Sequence, residues 1–203
     1  AETMVMHYDP SKPLHERYQV DHEFLTPDLG NEVLSISRLV NAFFHWEFNS
    51  CEIICKDGIA SPIDYANACP DVSLISLHYY FPWAITTLAK WAIYCCATSR
   101  RMRIDQDVRP YFDVGDRLDL SYDEKLRRYR SLADAYFELD RYQEFCSTHL
   151  ASIDEVMLGF IESQDFDDLL VNTVSSTFPP HEHERFVAHY RGLLEAWAAN
   201  HRG

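Results

Sequence analysis

The sequence predicts an all-α protein, a single-domain helical bundle of about five main helices with an extended N-terminal arm. The length of 203 residues suits one domain, and 47% of the residues are apolar, which is enough for a sizeable core. Glycine is scarce, with 6 residues, so a loop-rich chain is excluded. Long segments repeat apolar residues at helical spacing, and we find no convincing run of alternating β-branched residues. We therefore predict an arm over residues 1–27 and a helical bundle domain over residues 28–203.

The first element predicted after the arm is a long helix. Residues 1–27 mix charged, aromatic and proline residues without a period, which is typical of an extended segment. From residues 28–31 onward, apolar residues recur on one helical face, and we expect this helix to run to Lys56 with Gly58 as its C-cap. The inner face of this helix comprises Val33, Ile36, Val40, Phe43, Phe44, Cys51 and Ile54.

The second long segment, residues 72–99, is apolar almost all round. Its apolar part, residues 74–97, is long enough to span a bilayer. However, His78, Pro82 and Lys90 interrupt it. We therefore predict the buried central helix of a bundle, kinked at Pro82, rather than a membrane span.

The second half of the chain begins with a charged connector over residues 100–120. Ser121 is followed by Glu124 at the spacing of a capping box, in which each residue satisfies a backbone N–H of the other at a helix start. Ser152 and Glu155 have the same spacing, which predicts a second box and a second helix start.

The last predicted helix follows Pro179 and Pro180, because prolines are tolerated in a first helical turn and Thr177 can cap it. Apolar residues on the inner stripes of four segments should form the core. We predict that Phe43, Phe44, Trp83, Tyr136 and Trp197 are buried.

The charge balance narrows the classes of partner. The chain has 32 acidic residues against 18 basic ones, a net charge of −14. Such a chain repels the phosphate backbone, so we expect no nucleic-acid partner and no anionic membrane. Cations, basic proteins and neutral small molecules remain.

The cysteines indicate a reducing compartment. The 6 cysteines include no Cys-x-x-Cys pair, and Cys95 is adjacent to Cys96. Residues 1–18 lack the apolar core of a signal peptide. We expect reduced thiols and a cytoplasmic protein.

Standard catalytic and metal-binding motifs are absent from the sequence. There is no glycine-rich phosphate loop, nucleophile elbow or calcium loop, and the paired Glu-x-x-His pattern of di-iron proteins does not occur. The histidines at 181 and 183 lack the His-Glu-x-x-His spacing of zinc proteases and are interpreted as a polar first turn. No metal site is predicted, and the residues identify no cofactor, neither metal nor haem.

One small-molecule site can be assembled from interior polar residues. His45 and Glu47 lie beside the apolar face of the first predicted helix, and His78 interrupts the second. A buried carboxylate needs a partner or a raised pKa, so these three residues are the candidate catalytic set of an enzyme or cofactor-binding protein. His149 is a weaker fourth member. The alternative is that each group is a structural, hydrogen-bonded core residue.

The charge distribution is more distinctive than any motif. Between Tyr142 and Glu184 there are nine acidic residues and no Lys or Arg, whereas residues 100–130 hold half of the basic residues. An acidic tract steers basic partners. Our first interpretation is therefore an interaction or neutralising module that binds a basic protein partner. The small-molecule enzyme is the alternative, and a ligand-responsive regulator ranks third. The partner-binding cluster is predicted to be exposed, with Phe166 as its apolar anchor, and comprises Asp165, Phe166, Asp167 and Asp168.

Overall fold

The protein is mostly helical but carries two small antiparallel sheets, so the all-α prediction is wrong. A computed structural model describes residues 2–21, 23–104 and 107–202. The strands are β1 (His7–Tyr8), β2 (Tyr18–Gln19), β3 (Ser50–Lys56) and β4 (Ile59–Asn67). The helices are α1 (Pro27–Phe44), α2 (Leu74–Leu77), α3 (Phe81–Thr98), α4 (Arg109–Gly115), α5 (Tyr122–Tyr136), α6 (Leu139–His149), α7 (Ile153–Ile161), α8 (Gln164–Thr177) and α9 (His183–His201).

The helix predicted to reach Lys56 ends at Phe44, and a β-hairpin follows it. His45 adopts a left-handed conformation with φ 56°, which ends α1. Strands β3 and β4 then pair from Lys56 opposite Ile59 back to Ser50 opposite Asn67. The two turn residues, Asp57 and Gly58, both have positive φ. This is the pattern of the tight turns that join twisted antiparallel strands. Gly58 therefore closes a hairpin turn instead of capping a helix.

The long apolar segment is also divided differently from the prediction. A 3-10 turn over His78–Tyr80 separates α2 from α3, and the backbone turns at His78, where φ is 38°. Pro82 lies in the first turn of α3, where its missing N–H leaves no helical hydrogen bond unmade. No helix in the described residues is long and apolar enough to cross a membrane.

The chain divides into two compact units. The first contains the described residues of Ala1–Met6, Asp21–Pro70 and Trp91–Ser147. The second contains those of His7–Val20, Asp71–Lys90 and Thr148–Gly203. Within residues 1–27, β1 and β2 pair and a single 3-10 turn lies between them. The predicted boundary between an arm and a bundle stays a prediction.

The core of the first unit forms where α1 packs on α5. Ala42 and Ala133 are both fully buried, and such small side chains let the two helices approach closely. Tyr111, Tyr136 and Phe137 surround this contact. The capping box predicted at the start of α5 is confirmed: the Ser121 hydroxyl accepts the N–H of Glu124, whose carboxylate accepts the N–H of Ser121.

Helices α8 and α9 contribute to the core of the second unit together with α2 and the 3-10 turn after it. Helix α8 buries residues spaced by four, while α9 buries a longer stripe that includes Tyr190 and Leu194. Ser152 precedes α7 but makes no side-chain capping bond, so the second predicted box is absent. Thr177 is the last residue of α8 and does not begin the final helix. Of the residues predicted to be buried, Tyr136 and Trp197 are buried, whereas Phe43, Phe44 and Trp83 are half-buried.

Candidate functional site

Two helix ends of the first unit position the residues of a buried ion pair. Helix α1 ends in left-handed His45, with the N–H of Trp46 bonded to the carbonyl of Asn41, and Glu47 follows at once. Helix α3 ends the same way, because Ser99 has φ 54° and the N–H of Arg100 bonds to the carbonyl of Cys95. This ending, in which the chain folds back on the last turn, aims the next residues across the helix end.

Glu47, Arg100 and Tyr136 form one hydrogen-bonded cluster, called here the Glu47 cluster. Arg100 Nη1 donates to Glu47 Oε1 at 2.9 Å, and the Tyr136 hydroxyl donates to the same oxygen at 2.7 Å. Arg100 Nη2 also donates to the Tyr136 carbonyl at 3.1 Å. The side chains of Arg100 and Glu47 are 6% and 12% exposed, so the pair is shielded from water. Such a pair is costly to break because the remaining charge is left buried.

Aromatic rings of neighbouring residues pack against this cluster. The His45 ring stacks on Tyr136 with 4.9 Å between centroids and an interplanar angle of 11°. The guanidinium of Arg100 lies 4.7 Å from the centroid of Trp91, a cation–π distance. Burial raises the pKa of Tyr136, and its bond to Glu47 raises it further, so the hydroxyl is a hydrogen-bond donor at neutral pH.

A second tyrosine–carboxylate pair lies beside Arg100. The Tyr94 hydroxyl donates to Glu138 at 2.6 Å, while Arg100 Nε lies 3.9 Å from the other oxygen of that carboxylate. Burial and the bond to Glu138 together raise the pKa of Tyr94 to about 12. That bond, together with Arg141, lowers the pKa of Glu138.

Two predicted site residues, His45 and Glu47, therefore meet at Tyr136. His45 Nδ1 and Glu47 Oε2 are buried and have no hydrogen-bond partner within the described residues. The other contacts of Glu47 are those of a structural ion pair that ties α1, α3 and α5 together. Arg100 and Tyr136, the partners of Glu47, were not predicted as site residues, since the sequence places them 53 and 89 positions away.

His78, the third predicted catalytic residue, belongs to the second unit. It is 1% exposed, and its Nδ1 accepts the N–H of Tyr79 at 2.8 Å, so the ring proton lies on Nε2. Burial lowers the pKa of His78 to about 4, with smaller contributions from His189 and His15. The convergence of His78 with His45 and Glu47 stays a prediction. His149, the weaker candidate, is exposed at the last residue of α6.

The acidic tract contains the first two turns of α8. Asp165 and Asp168 are exposed there, and Asp167 is half-buried and paired with Arg191. Phe166 is fully buried and packs edge-on against Phe160 at 5.3 Å. The prediction that Phe166 is an exposed anchor is therefore wrong. The reason is the helical period, because residues 166, 170 and 174 form the inner stripe of α8.

Arginines in and just after the last helix neutralise part of the tract. Glu182 lies 3.9 Å from Arg185, and Glu162 pairs with Arg202 just after α9. In the part of the chain that the structure describes, Asp165 and Asp168 pair with no Lys or Arg. Asp168 accepts a hydrogen bond from the side chain of Gln164 at 2.9 Å, which leaves its charge in place.

An apolar residue adjoins these unpaired carboxylates. Asp165, Asp168, Leu169 and Asn172 follow the spacing of one helical face and are all exposed; we call this set the α8 outer face. Leu169 is 39% exposed. No group of three or more His, Cys, Asp or Glu residues within the described ranges is arranged to hold a metal ion.

Comparison with known proteins finds no matching family model, no matching curated protein and no matching solved structure.

Proposed function

We propose that the protein is an interaction module that binds a basic protein partner through the α8 outer face. The observation that carries this proposal is that Asp165 and Asp168 are exposed without an internal cation and adjoin the exposed Leu169. The neighbouring Asp167 and Glu162, in contrast, are already paired with arginines. A partner that supplies cations and one apolar side chain complements such a face.

The partner chemistry follows from the geometry of the face. Residues three apart on a helix are neighbours, so Asp165 and Asp168 present two carboxylates side by side. Leu169 offers apolar area next to them, which a partner can bury to slow dissociation. The net charge of −14 adds a long-range attraction for cations and repels nucleic acid. Phe166 and Asp167 act indirectly, because Phe166 is buried and Asp167 is already paired with Arg191.

The test measures association with a defined basic probe. A dye-labelled amphipathic helical peptide of Lys and Leu is mixed with the protein in a stopped-flow instrument at low and at physiological salt. We expect the Asp165→Asn/Asp168→Asn variant to slow association roughly tenfold at low salt and less at higher salt. Leu169→Ala should instead speed dissociation, since apolar contacts act mainly after encounter.

A matched control distinguishes the effect of the α8 outer face on binding from the effect of the net charge. Asp113 and Asp116 are also exposed and three residues apart, at the end of α4. The Asp113→Asn/Asp116→Asn variant changes the net charge by the same amount and should bind like the wild type. Equal slowing by both double variants would mean that only total charge attracts the peptide, and the proposed face would be rejected.

A further inference from the structure

An aromatic groove lies within the first unit, whereas the α8 outer face belongs to the second unit. Its volume is about 460 Å³, and residues of α1, β4, α4 and α5 line it. Small-molecule sites in proteins typically have volumes of about 300–1,000 Å³. The rings that line the groove are Phe43, Phe44, Tyr65, Tyr111, Phe112 and Tyr129.

The rings of the groove pack edge to face on one another, and a further aromatic ring can add to this set of contacts. Phe43 lies at the centre, with edge-to-face contacts to Phe44 at 4.9 Å, to Tyr111 at 5.3 Å and to Phe112 at 6.1 Å. Two lining rings remain in water, because Phe112 is 58% exposed and Tyr65 is 38% exposed. A ligand that covered these rings would remove apolar surface from water, which is favourable.

The groove has hydrogen-bond donors but no charge. None of its described lining residues is Asp, Glu, Lys, Arg or His, so a charged ligand would find no ion-pair partner in the lining itself. The hydroxyls of Tyr65, Tyr111 and Tyr129 form no hydrogen bond within the described part of the chain. Burial raises the pKa of Tyr111 and of Tyr129, so both hydroxyls keep their protons and can donate.

We propose that the aromatic groove binds an uncharged, planar aromatic molecule that carries a hydrogen-bond acceptor. The rings supply stacking and edge contacts to the plane of the ligand, and a tyrosine hydroxyl donates to its acceptor atom. Tyr111 is the best-placed donor, because the residue is 9% exposed and a bond formed there is protected from water.

The test uses prodan, a neutral naphthalene ketone whose emission shifts to the blue in an apolar site. We expect saturable binding of one prodan per chain. Tyr111→Phe removes one hydroxyl and should weaken binding roughly three- to tenfold, the usual range for one hydrogen bond. Phe112→Ala removes an exposed ring and should weaken binding by a similar factor. Leu118→Ala is the matched control, because Leu118 is 94% exposed and does not line the groove.

Each alternative occupant has its own outcome. Prodan binding that neither Tyr111→Phe nor Phe112→Ala weakens would overturn the proposal. Equally tight binding of the anionic anilinonaphthalene sulfonate would reject the requirement for an uncharged ligand. If the ligand-free protein forms a dimer that Phe112→Ala dissociates, the groove is covered by a second copy and the proposal fails.

Two controls keep the result interpretable. Circular dichroism and thermal melting of each variant establish that the fold is intact, and Tyr111→Phe carries the test if Phe112→Ala does not fold. The Asp165→Asn/Asp168→Asn variant should bind prodan like the wild type, so failure of the groove proposal is distinguishable from failure of the α8 outer face.

Discussion

His78 combines a strained backbone with a buried, uncharged ring. Its φ of 38° and ψ of −104° lie outside the regions that a residue with a Cβ atom prefers. The ring offsets part of this strain by accepting the N–H of Tyr79. The ring therefore serves as a structural hydrogen-bond acceptor. Protonation of the ring removes this acceptor and destabilises the fold.

We predict that His78 makes the folding stability dependent on pH. The folded pKa is about 4, below the ordinary value of 6.5. Between these values the unfolded chain binds a proton that the folded chain does not. Stability is therefore full above about pH 6.5 and falls as the pH drops towards 4, by up to about 3 kcal/mol. His189 and His15 face His78 and lower its pKa further, because both disfavour its charged form.

Urea unfolding of the wild type and of His78→Asn at pH 7 and pH 4.5 measures this effect. Asn retains a side-chain acceptor, tolerates positive φ and does not titrate. The variant should lose less stability on acidification than the wild type. Parallel losses in the two proteins would assign the pH dependence to other residues.

Arg100 should be the most sensitive charged residue of the first unit. Replacing it with Met leaves the Glu47 carboxylate buried and unpaired, which we expect to cost about 3–5 kcal/mol. The double variant Glu47→Met/Arg100→Met removes both charges and should recover most of this loss. The measurement is the free energy of unfolding in urea. In the exposed pair of Arg117 and Asp119, the matched change Arg117→Met should have little effect. If Arg100→Met also has little effect, the pair is not shielded from water.

At the scale of the elements, the sequence predicted helix starts better than helix ends. The bond pattern at Ser121 and Glu124 is local, so the start of α5 was predictable from four residues. Helices α1, α3 and α5 are followed within two residues by left-handed residues that are not glycine, namely His45, Ser99 and Glu138. Glycine is the usual signal for such an end, and without it the apolar spacing continued through residues 45–56 by coincidence.

The β-hairpin did have a local signal, in the dipeptide Asp57–Gly58. An Asp-Gly pair between two apolar segments is typical of a two-residue hairpin turn. The prediction instead took Gly58 as a helix C-cap, because the preceding segment was interpreted as helical. The turn residues could therefore be recognised in the sequence. They were misinterpreted because the preceding segment was assigned a helical period.

The two serines predicted as capping residues provide a matched test of a local interaction. Ser121 makes both bonds of a capping box, whereas Ser152 makes no side-chain cap bond. We expect Ser121→Ala to lower the free energy of unfolding by about 1 kcal/mol and Ser152→Ala to leave it nearly unchanged. Denaturant titration measures both variants. Equal effects would show that the Ser121 side chain is not the source of the stability.

At the scale of the whole molecule, the composition predicted the net charge but not which residues the arginines pair with. Arg100 forms an ion pair with Glu47, and Arg130 donates hydrogen bonds to the Ser35 hydroxyl and the Asn31 carbonyl of α1. These pairs join residues 53 to 99 positions apart, a separation at which no sequence spacing indicates contact. The candidate site was predictable only in part for the same reason. Glu47 was recognisable as an interior carboxylate, but its partners depend on how the helices pack.

The β-hairpin has a consequence for the behaviour of the protein in concentrated solution. Among the described residues, β3 pairs with β4 alone, so each strand leaves an outer row of backbone groups that another chain can reach. Pro62 lacks an N–H and interrupts one of these rows. At neutral pH the net charge of −14 keeps copies of the chain apart. That repulsion disappears near the isoelectric point of about 5.0, where we expect the same hairpin to nucleate precipitation. We therefore expect the colloidal stability of the protein to fall as the pH of the solution approaches this value.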